Sequence, residues 1–307
     1  MSNEASLDLA GFSDSLVAVI ERATQGVVAV KAAPYRVTSG VSISENLIAV
    51  ADHTLRRKDS IPVELADGTK AVASILGRDR SIDIAIMKVE GVSLKPLPAA
   101  DPAFLKSGSL AVVVGLTTDV GPSASVGIIG AAGGARRTWR SGTLDYFFRL
   151  DMNLYPSQSG AAVVDAQGRL IGLATPGLLR HAAVAVPLVT LNRVAQELLQ
   201  EGRIRHGYLG VGLQPVAIPE HLRAKLGDIP ETGLIVLSVA GDSPARQADL
   251  QLGDILISLD KNHLSSIEEL QAILRGDIVG RAVSAQLIRG GELVQAQIVV
   301  SQRLKED

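Results

Sequence analysis

Three side chains of the types that act together in nucleophilic catalysis occur in the order His53, Asp83 and Ser159. Ser159 lies between a turn-forming stretch and an apolar run, and small residues follow it, so its hydroxyl can stand clear of bulky neighbours. His53 directly follows a predicted strand, and Asp83 lies inside an apolar, strand-like run. A histidine can take the serine proton as general base, and a carboxylate can orient that histidine. The three residues together therefore indicate a serine nucleophile with its base.

Each of these residues also has an ordinary structural explanation. Ser and Gly are common turn formers, so Ser159 taken alone is better explained as a turn residue without chemistry. His53 is explained as a surface or capping residue, and Asp83 as a solvent-facing strand residue. A charge buried in an apolar run costs several kcal/mol unless it has a partner, which makes Asp83 the most informative of the three. Catalysis is favoured because all three parts are present together.

Composition excludes several other kinds of chemistry. The chain of 307 residues has no cysteine, which excludes disulfides, thiolate metal sites and a cysteine nucleophile. Its net charge of -2 gives no electrostatic case for nucleic acid or an anionic membrane. A small basic cluster, Arg136, Arg137 and Arg140 around Trp139, is interpreted as a solvated loop. The remaining histidines show no metal-ligand spacing, so neither a metal nor a cofactor is predicted.

The elements that must position the three residues are mostly short strands. A helix is expected first, with Ser13 as its cap and Gly26 at its end. Two groups of six β-rich runs follow, and many short strands at this spacing predict two barrels or sandwiches. The runs are 27–31, 40–43, 47–50, 61–65, 71–76 and 82–89, then 110–114, 123–130, 146–150, 161–164, 170–174 and 182–186.

The chain changes character after a predicted helix at 190–200, whose apolar residues share one face. Mixed strands are expected beyond it, together with one short helix at 266–274 that starts with the capping pattern Ser266 and Glu269. A hairpin turn is expected at Gly290-Gly291. At 307 residues the chain is about twice the usual size of a domain, so a second compact unit is expected here.

The motifs around the three residues resemble those of the HtrA (Deg) family of chymotrypsin-fold serine proteases. Gly77 to Ile86 reproduces the acid pattern of that family, G-x-D-x-x-x-D-[LI]-A-[VIL]. Tyr155 to Ala161 is similar to its nucleophile loop, N-P-G-N-S-G-G, with substitutions. The resemblance implies that His53 is the general base, that Asp83 orients it and that Ser159 attacks the peptide carbonyl.

Two departures from the family pattern bear on activity. The resemblance implies an oxyanion hole formed by the backbone N–H groups of Ser157 and Ser159, but the family usually has glycine where this chain has Ser157. Backbone dihedrals that favour glycine cost a residue with a side chain about 1 kcal/mol or more. Ala161 and Ala162 replace the usual Gly-Pro and add bulk beside the cleft. These departures indicate a weakened or switchable protease as an alternative.

The resemblance also implies where substrates bind. It places Asn153 at the floor of the specificity pocket and Ala183 on the strand that pairs with substrate, and an uncharged floor favours small or medium apolar side chains. The stretch Tyr208-Leu209-Gly210-Val211 is similar to the carboxylate-binding loop of a PDZ domain, in which a peptide adds a strand to the sheet edge. The structural alternative for this stretch is a β-turn that begins a strand.

The family resemblance sets the expected architecture, a mainly β chain with a chymotrypsin-like double β-barrel followed by an α+β PDZ domain. It implies a homotrimer or higher oligomer. The N-terminus shows no export signal and no apolar run is long enough to span a membrane. We therefore expect the chain as it stands in the cytoplasm, or in the periplasm or another extracytoplasmic space if a leader has been removed. The expected bounds are 1–26 for an N-terminal helical segment, 27–187 for the protease domain, 188–204 for a linker helix and 205–303 for the PDZ domain.

Two functions from different classes follow. The first is a serine endopeptidase that cleaves unfolded or damaged proteins through the triad and binds C-terminal peptides at its PDZ domain. The second is a catalytically impaired protein that keeps the fold and acts as a peptide-binding or chaperone-like module. The complete set of His53, Asp83 and Ser159 favours the first function, whereas Ser157 and Ala161 favour the second.

Overall fold

The computed structural model divides the chain into two compact units, residues 1–204 and residues 205–307. Trp139 and Arg140 of the basic cluster lie outside the residues that the structure describes. The described residues are 8–33, 36–56, 60–138, 142–179, 182–201, 207–227, 229–274 and 278–302.

Six antiparallel strands at the start of the first unit form a closed barrel. They are β1 Val27–Ala33, β2 Arg36–Ser42, β3 Leu47–Ala51, β4 Ser60–Leu65, β5 Lys70–Asp79 and β6 Ile84–Glu90. Their hydrogen-bonded order is β1-β2-β3-β6-β5-β4. The interior is aliphatic, and Ile48, Val50 and Met87 are fully buried there. Branched side chains of this kind pack well on a pleated surface, so the predicted first group of strands forms a barrel.

A second closed barrel completes the first unit, and a small hairpin is inserted in it. The elements are β7 Leu110–Thr117, β8 Gly121–Gly133, the hairpin β9 Arg136–Arg137 and β10 Thr143–Leu144, then β11 Phe147–Asp151, β12 Ala162–Val164, β13 Leu170–Leu179 and β14 Ala182–Pro187. The barrel order is β11-β14-β13-β12-β7-β8. Both groups of six strands are present, and the predicted double-barrel fold is confirmed.

Two helices pack on these barrels. The first, α1, spans Leu9–Thr24, and the predicted cap at Ser13 is wrong: the helix begins earlier because Asp8 accepts a hydrogen bond of 3.0 Å from the Gly11 N–H. The second, α2, spans Leu188–Glu201. Its apolar face lies in the barrel core of the first unit, so the predicted linker helix is part of that unit's packing.

The described part of the second unit has one main sheet, one two-stranded sheet and three short helices. In chain order its elements are β15 Gly207–Tyr208, β16 Val211–Ala217, α3 Glu220–Leu226, β17 Thr232–Val239, α4 Pro244–Gln247, β18 Ile255–Leu259, β19 Asn262–His263, α5 Ile267–Ile273, β20 Ala282–Arg289, β21 Glu292–Val299 and β22 Ser301–Gln302. The main sheet has the order β16-β17-β18-β20-β21. The turn at Gly290-Gly291 has φ of +58° and +83°, as a two-residue hairpin turn requires.

The prediction of a single helix in this unit was wrong. Helix α5 matches it, and the Glu269 N–H donates to Ser266 Oγ at 3.2 Å as the capping pattern predicts. Helices α3 and α4 were missed because seven and four residues are too few to show a helical period in the sequence.

Candidate active site

His53 lies in a single 3₁₀ turn, Asp52–Thr54, that directly follows β3. The Thr54 hydroxyl donates to the Ala51 carbonyl at 2.7 Å, and the Leu55 N–H donates to the Asp52 carbonyl at 3.1 Å. These bonds fix the backbone of the turn, while 33% of the His53 side chain stays exposed. The imidazole is therefore held in place and remains accessible to substrate.

Asp83 lies in the turn before β6 and not inside a strand, which corrects the prediction. Its φ of +59° is left-handed, a region that Asp tolerates better than most residues with a side chain. The residue is 1% exposed, so the alternative of a solvent-facing strand residue is wrong as well. In a strand, side chains alternate between the two faces of the sheet, and the Asp83 carboxylate would lie on one of them. The turn instead directs the carboxylate toward His53.

The Asp83 carboxylate contacts His53 at two points. Its Oδ2 lies 2.7 Å from the ring Nδ1, and its Oδ1 accepts the His53 backbone N–H at 3.0 Å. The Thr175 hydroxyl also donates to Asp83 Oδ2, and Thr175 Oγ1 in turn accepts the Gly177 N–H at 2.9 Å. A carboxylate at Nδ1 keeps the proton on that nitrogen and leaves Nε2 able to accept one. This is the arrangement that a general base requires.

Thr175 is a partner of the site that sequence reasoning missed. It is fully buried in β13 and lies within an apolar stretch, where a threonine is ordinary. No local pattern distinguishes it, because its role depends on the distant turn that contains Asp83. Only the three-dimensional pairing identifies it.

Ser159 follows a 3₁₀ turn, Pro156–Gln158, that leads into β12. The Ser39 N–H donates to the Ser159 carbonyl at 3.3 Å, which ties the turn to β2. Gly160, with φ of +85°, packs so closely that a Cβ there would lie 2.1 Å from the Ser39 carbonyl oxygen and 3.2 Å from the Ala51 nitrogen. Ala51 is two residues before His53, so these contacts bring the nucleophile turn beside the histidine turn.

The hydroxyl of Ser159 is the remaining member of the predicted set. Within the described part of the chain, no hydrogen bond joins Ser159 Oγ to the His53 ring. Catalytic hydrogen bonds of free enzymes are often long and tighten only when substrate binds. The structure therefore pairs two of the predicted residues directly and brings the third to the same place without the final bond.

The backbone of the nucleophile turn uses one of the predicted oxyanion donors internally. The Ser159 N–H donates to the Pro156 carbonyl at 3.4 Å, and the Ser157 carbonyl accepts the Ser39 hydroxyl at 2.8 Å. An oxyanion hole needs donors that point at the developing negative charge. In this conformation the Ser159 N–H points at a carbonyl oxygen instead.

Asp52, the carboxylate next to His53, has a separate set of partners. Arg78 donates to its Oδ1 at 3.0 Å, and Arg80 Nε lies 3.7 Å from its Oδ2. Burial raises the pKa of the Asp52 carboxyl above its ordinary value, although both guanidinium groups act in the opposite direction. Among the described contacts, those of the Asp52 side chain are with arginines and not with the imidazole.

The two residues predicted for substrate specificity lie on either side of the nucleophile turn in the sequence, Asn153 before it and Ala183 in a later strand. Asn153 is exposed in the segment after β11, and Ala183 is buried in β14. Met152 and Leu154 pack against the apolar cluster that contains Ala183. The role of Asn153 and Ala183 in a specificity pocket stays a prediction.

The predicted carboxylate-binding stretch, Tyr208 to Val211, connects β15 to β16. The Leu209 carbonyl accepts the Ala245 N–H at 2.9 Å, and the Gly210 carbonyl accepts the Ala240 N–H at 2.8 Å. Within the described part of the chain, the N–H groups of Leu209 and Gly210 have no hydrogen-bond partner. Two unpaired donors next to each other are what a terminal carboxylate needs.

Gly210 sets the shape of this stretch. Its φ is +79°, and a Cβ at this position would lie 2.1 Å from Ser243 Cβ. Leu209 is 2% exposed and its side chain packs in the core of the second unit, while its place in a peptide-binding stretch stays a prediction. Val211 and Leu213 of β16 and Ile267 of α5 are partly buried and pack against the same core.

Comparison with known proteins agrees with both units. The sequence matches the trypsin-like peptidase domain over residues 38–173 and the PDZ domain over residues 207–300. The serine endoprotease DegS of Haemophilus influenzae is 25% identical over 272 residues, which cover 86% of this chain and 76% of that protein. A probable periplasmic serine endoprotease, DegP-like, of Chlamydia pneumoniae is 26% identical over 268 residues. That alignment covers 86% of this chain and 54% of the relative, so the chain spans about half the length of DegP-like relatives.

A solved structure has the same architecture. The HtrA-type protease AlgW with tripeptide is 26% identical, with a TM-score of 0.72, and the match covers 94% of this chain and 98% of that one. A trypsin-like double barrel joined to a PDZ domain defines the class, a serine endopeptidase with a peptide-binding domain. The chain belongs to the HtrA (Deg) family of serine endoproteases. The predicted family and enzyme class are confirmed, whereas the roles of individual residues stay predictions.

Proposed function

We propose that this chain hydrolyses peptide bonds of unfolded or damaged proteins through Ser159, with His53 as general base and Asp83 as the residue that orients it. The observation that carries the proposal is the 2.7 Å contact between His53 Nδ1 and the buried Asp83 carboxylate. With its proton on Nδ1, the imidazole can take the Ser159 proton at Nε2 as Oγ attacks the carbonyl carbon. It can then return that proton to the leaving amine.

An unfolded substrate fits this chemistry. The scissile carbonyl of a substrate must reach the hydroxyl of Ser159, a residue that is only 4% exposed. Only an extended segment of substrate can bring its backbone that close. Folded proteins keep most backbone groups within helices and sheets, where they are out of reach. Unfolded or damaged chains are therefore the proposed substrates.

Labelling with a fluorophosphonate probe tests the nucleophile without assuming a substrate. The probe modifies a serine only when a base activates it. We expect peptide mapping to find the modification at Ser159 and not at Ser157, a matched serine two residues away in the same turn. The rate of casein digestion should fall in proportion to the fraction of the protein that is labelled. A folded protein that is never labelled at Ser159 would exclude this function and favour the peptide-binding alternative.

The second unit is proposed to bind peptides that end in an apolar residue with a free carboxylate. The unpaired N–H groups of Leu209 and Gly210 support this, since they can hold the terminal carboxylate while the peptide pairs with β16. In the full-length Ser159→Ala protein, which prevents cleavage, C-terminal amides should bind at least about tenfold more weakly than the free acids, the loss expected for a charge-assisted bond. Fluorescence anisotropy measures both affinities.

A pair of glycine variants is the control for this peptide site. Gly210→Ala should weaken binding of the acid, because φ of +79° and the contact with Ser243 leave no room for a side chain. Gly241 follows Ala240, whose N–H donates to the Gly210 carbonyl. A Cβ at Gly241 meets nothing within 4 Å, so Gly241→Ala should leave binding unchanged. Equal affinity for acid and amide would exclude carboxylate capture by this stretch.

Location and assembly are also proposed from the relatives. Several DegP-like relatives are named probable periplasmic serine endoproteases, so we propose an extracytoplasmic, periplasmic location. No finding supports the cytoplasmic expectation. None of the described helices is both long and apolar enough to cross a membrane. A homotrimer stays a proposal that follows from the family resemblance.

A further inference from the structure

Gln158, the residue before the proposed nucleophile, is fully buried at 0% exposure, but only half of its side-chain amide is paired. Its Oε1 accepts the Tyr155 N–H at 3.0 Å and the Ser125 hydroxyl at 3.0 Å. A backbone N–H can only donate, so the oxygen and not the nitrogen must face Tyr155. Among the described residues, the buried Nε2 has no hydrogen-bond partner.

These contacts close the turn that carries Ser159. The Gln158 backbone N–H donates to the Tyr155 carbonyl at 2.8 Å, and the Gln158 side chain accepts the Tyr155 N–H; we call this reciprocal pair of bonds the capping box. The closed turn is the one in which the Ser159 N–H donates to the Pro156 carbonyl. Ser125 in β8 ties the capping box to the second barrel. The Gln158 side chain thus stabilises the conformation in which an oxyanion donor is occupied.

The unpaired amide gives this conformation a built-in cost. A buried donor without a partner is destabilising, because its hydrogen bond to water is lost and not replaced. Ser123 Oγ is also buried and unpaired among the described residues. A Cβ at Gly115 would lie 3.2 Å from Ser123 Oγ and 3.5 Å from Gln158 Cγ, so the side chains of Ser123 and Gln158 both lie near this glycine. A rearrangement of the turn that pairs Nε2 would relieve the cost.

We propose that Gln158 is a positioning residue that holds the nucleophile turn in a resting conformation, and that its release from Tyr155 accompanies formation of the oxyanion hole. This inference rests on the proposed role of Ser159 as nucleophile. When the capping box opens, the peptide between Pro156 and Ser157 is free to rotate. The rotation takes the Pro156 carbonyl away from the Ser159 N–H and lets backbone donors face the oxyanion. The turn is then a two-state element whose resting state depends on one amide oxygen.

Gln158→Met tests this role, because methionine keeps the length of the side chain and has no strong acceptor for Tyr155. We expect kcat on a peptide substrate to rise at least about fivefold, a fraction of what one oxyanion donor contributes, with KM changed less than about twofold. The rate constant for fluorophosphonate labelling of Ser159 should rise in parallel. Ser123→Ala is the matched control: it changes an unpaired hydroxyl beside the same glycine that makes no bond to the turn, and both rates should stay the same.

A second variant keeps the test decisive if Gln158→Met melts at a much lower temperature. Ser125→Ala removes one of the two bonds to Oε1 and leaves the capping box, so it should raise kcat by a smaller factor, about twofold. An unchanged or lower kcat in the folded variants would overturn the inference about Gln158. If Ser159 of the wild type were still labelled, the proposed function would stand. Labelling of Ser159 in none of the proteins would instead remove the nucleophile assignment, and with it this inference.

Discussion

Replacing Asp83 by asparagine should lower kcat about 10⁴-fold, the size of effect known for converting the orienting carboxylate of a serine protease triad to an amide. In this chain Asp83 Oδ2 lies 2.7 Å from His53 Nδ1 and also accepts the Thr175 hydroxyl. An asparagine that offers its NH₂ group to Nδ1 makes that nitrogen the acceptor. The proton then sits on Nε2, which can no longer take one from Ser159. KM should change little, because the lost interaction acts on the proton transfer and not on substrate binding.

Asparagine is also the substitution that the backbone tolerates at this position. Asp83 has φ of +59°, and asparagine adopts left-handed dihedrals with less strain than alanine or valine. Its Oδ1 can still accept the His53 N–H that Asp83 binds at 3.0 Å. A fall in kcat would therefore result from the changed tautomer of His53 and not from unfolding of the turn. An unchanged melting temperature of the variant would verify that the fold is intact.

Asp52→Asn provides the comparison, since Asp52 is a neighbouring buried carboxylate whose side chain pairs with Arg78 and Arg80. Its kcat should stay within about threefold of wild type, because removing a partner of two arginines perturbs packing but not the imidazole. If the wild-type rate is too low for a 10⁴-fold loss to be measured, both substitutions can be introduced into the Ser157→Gly protein, whose kcat is expected to be higher. A loss smaller than about tenfold in folded Asp83→Asn would exclude Asp83 as the orienting acid.

The strands could be predicted from the sequence because their side chains report burial directly. Branched aliphatic runs such as Val27–Ala33 and Leu47–Ala51 lie in closed barrels, and each of the twelve predicted barrel strands has a counterpart in the structure. The cap of α1 was missed because Ser13 and Asp8 are both good capping residues, and the pattern does not show which one begins the helix. Tertiary contacts of Val19 and Ala23 decide where this helix lies.

The candidate site was predictable in its residue types and not in its backbone. The run of residues that contains Asp83 and Ile84 is typical of a strand, and the residue types do not show that Asp83 has a left-handed φ. The occupied Ser159 N–H depends on the orientation of one peptide plane, which residue types influence but do not specify. No role was predicted for Gln158 in the nucleophile loop. Its role becomes visible only in the structure, where its oxygen accepts the Tyr155 N–H and its nitrogen has no partner among the described residues.

Ser157→Gly should raise kcat by roughly tenfold or more, up to the 100-fold to 1000-fold contribution of one oxyanion donor. Ser157 now lies in a 3₁₀ turn, where φ is near −60°. Turning the Pro156–Ser157 peptide by half a rotation moves the φ of Ser157 to about +120°, a region that glycine adopts readily and a residue with a Cβ does not. The substitution therefore lowers the cost of reaching the state in which the Ser159 N–H is released. KM should change little, since the donor acts on charge that develops after binding.

Ser157→Ala separates the backbone from the hydroxyl. Alanine keeps the Cβ, so the kcat of Ser157→Ala should stay as low as that of the wild type. A higher kcat in Ser157→Ala would show instead that the Ser157 hydroxyl limits the rate. Ser157→Gly combined with Gln158→Met should give less than the product of the two single increases, because both act on the same turn and such neighbours are not additive. An unchanged kcat in folded Ser157→Gly would show that serine does not hinder the hole. If a PDZ-binding peptide then raised kcat in wild type but not in Ser157→Gly, the rotation of this one peptide would be the step that the peptide controls.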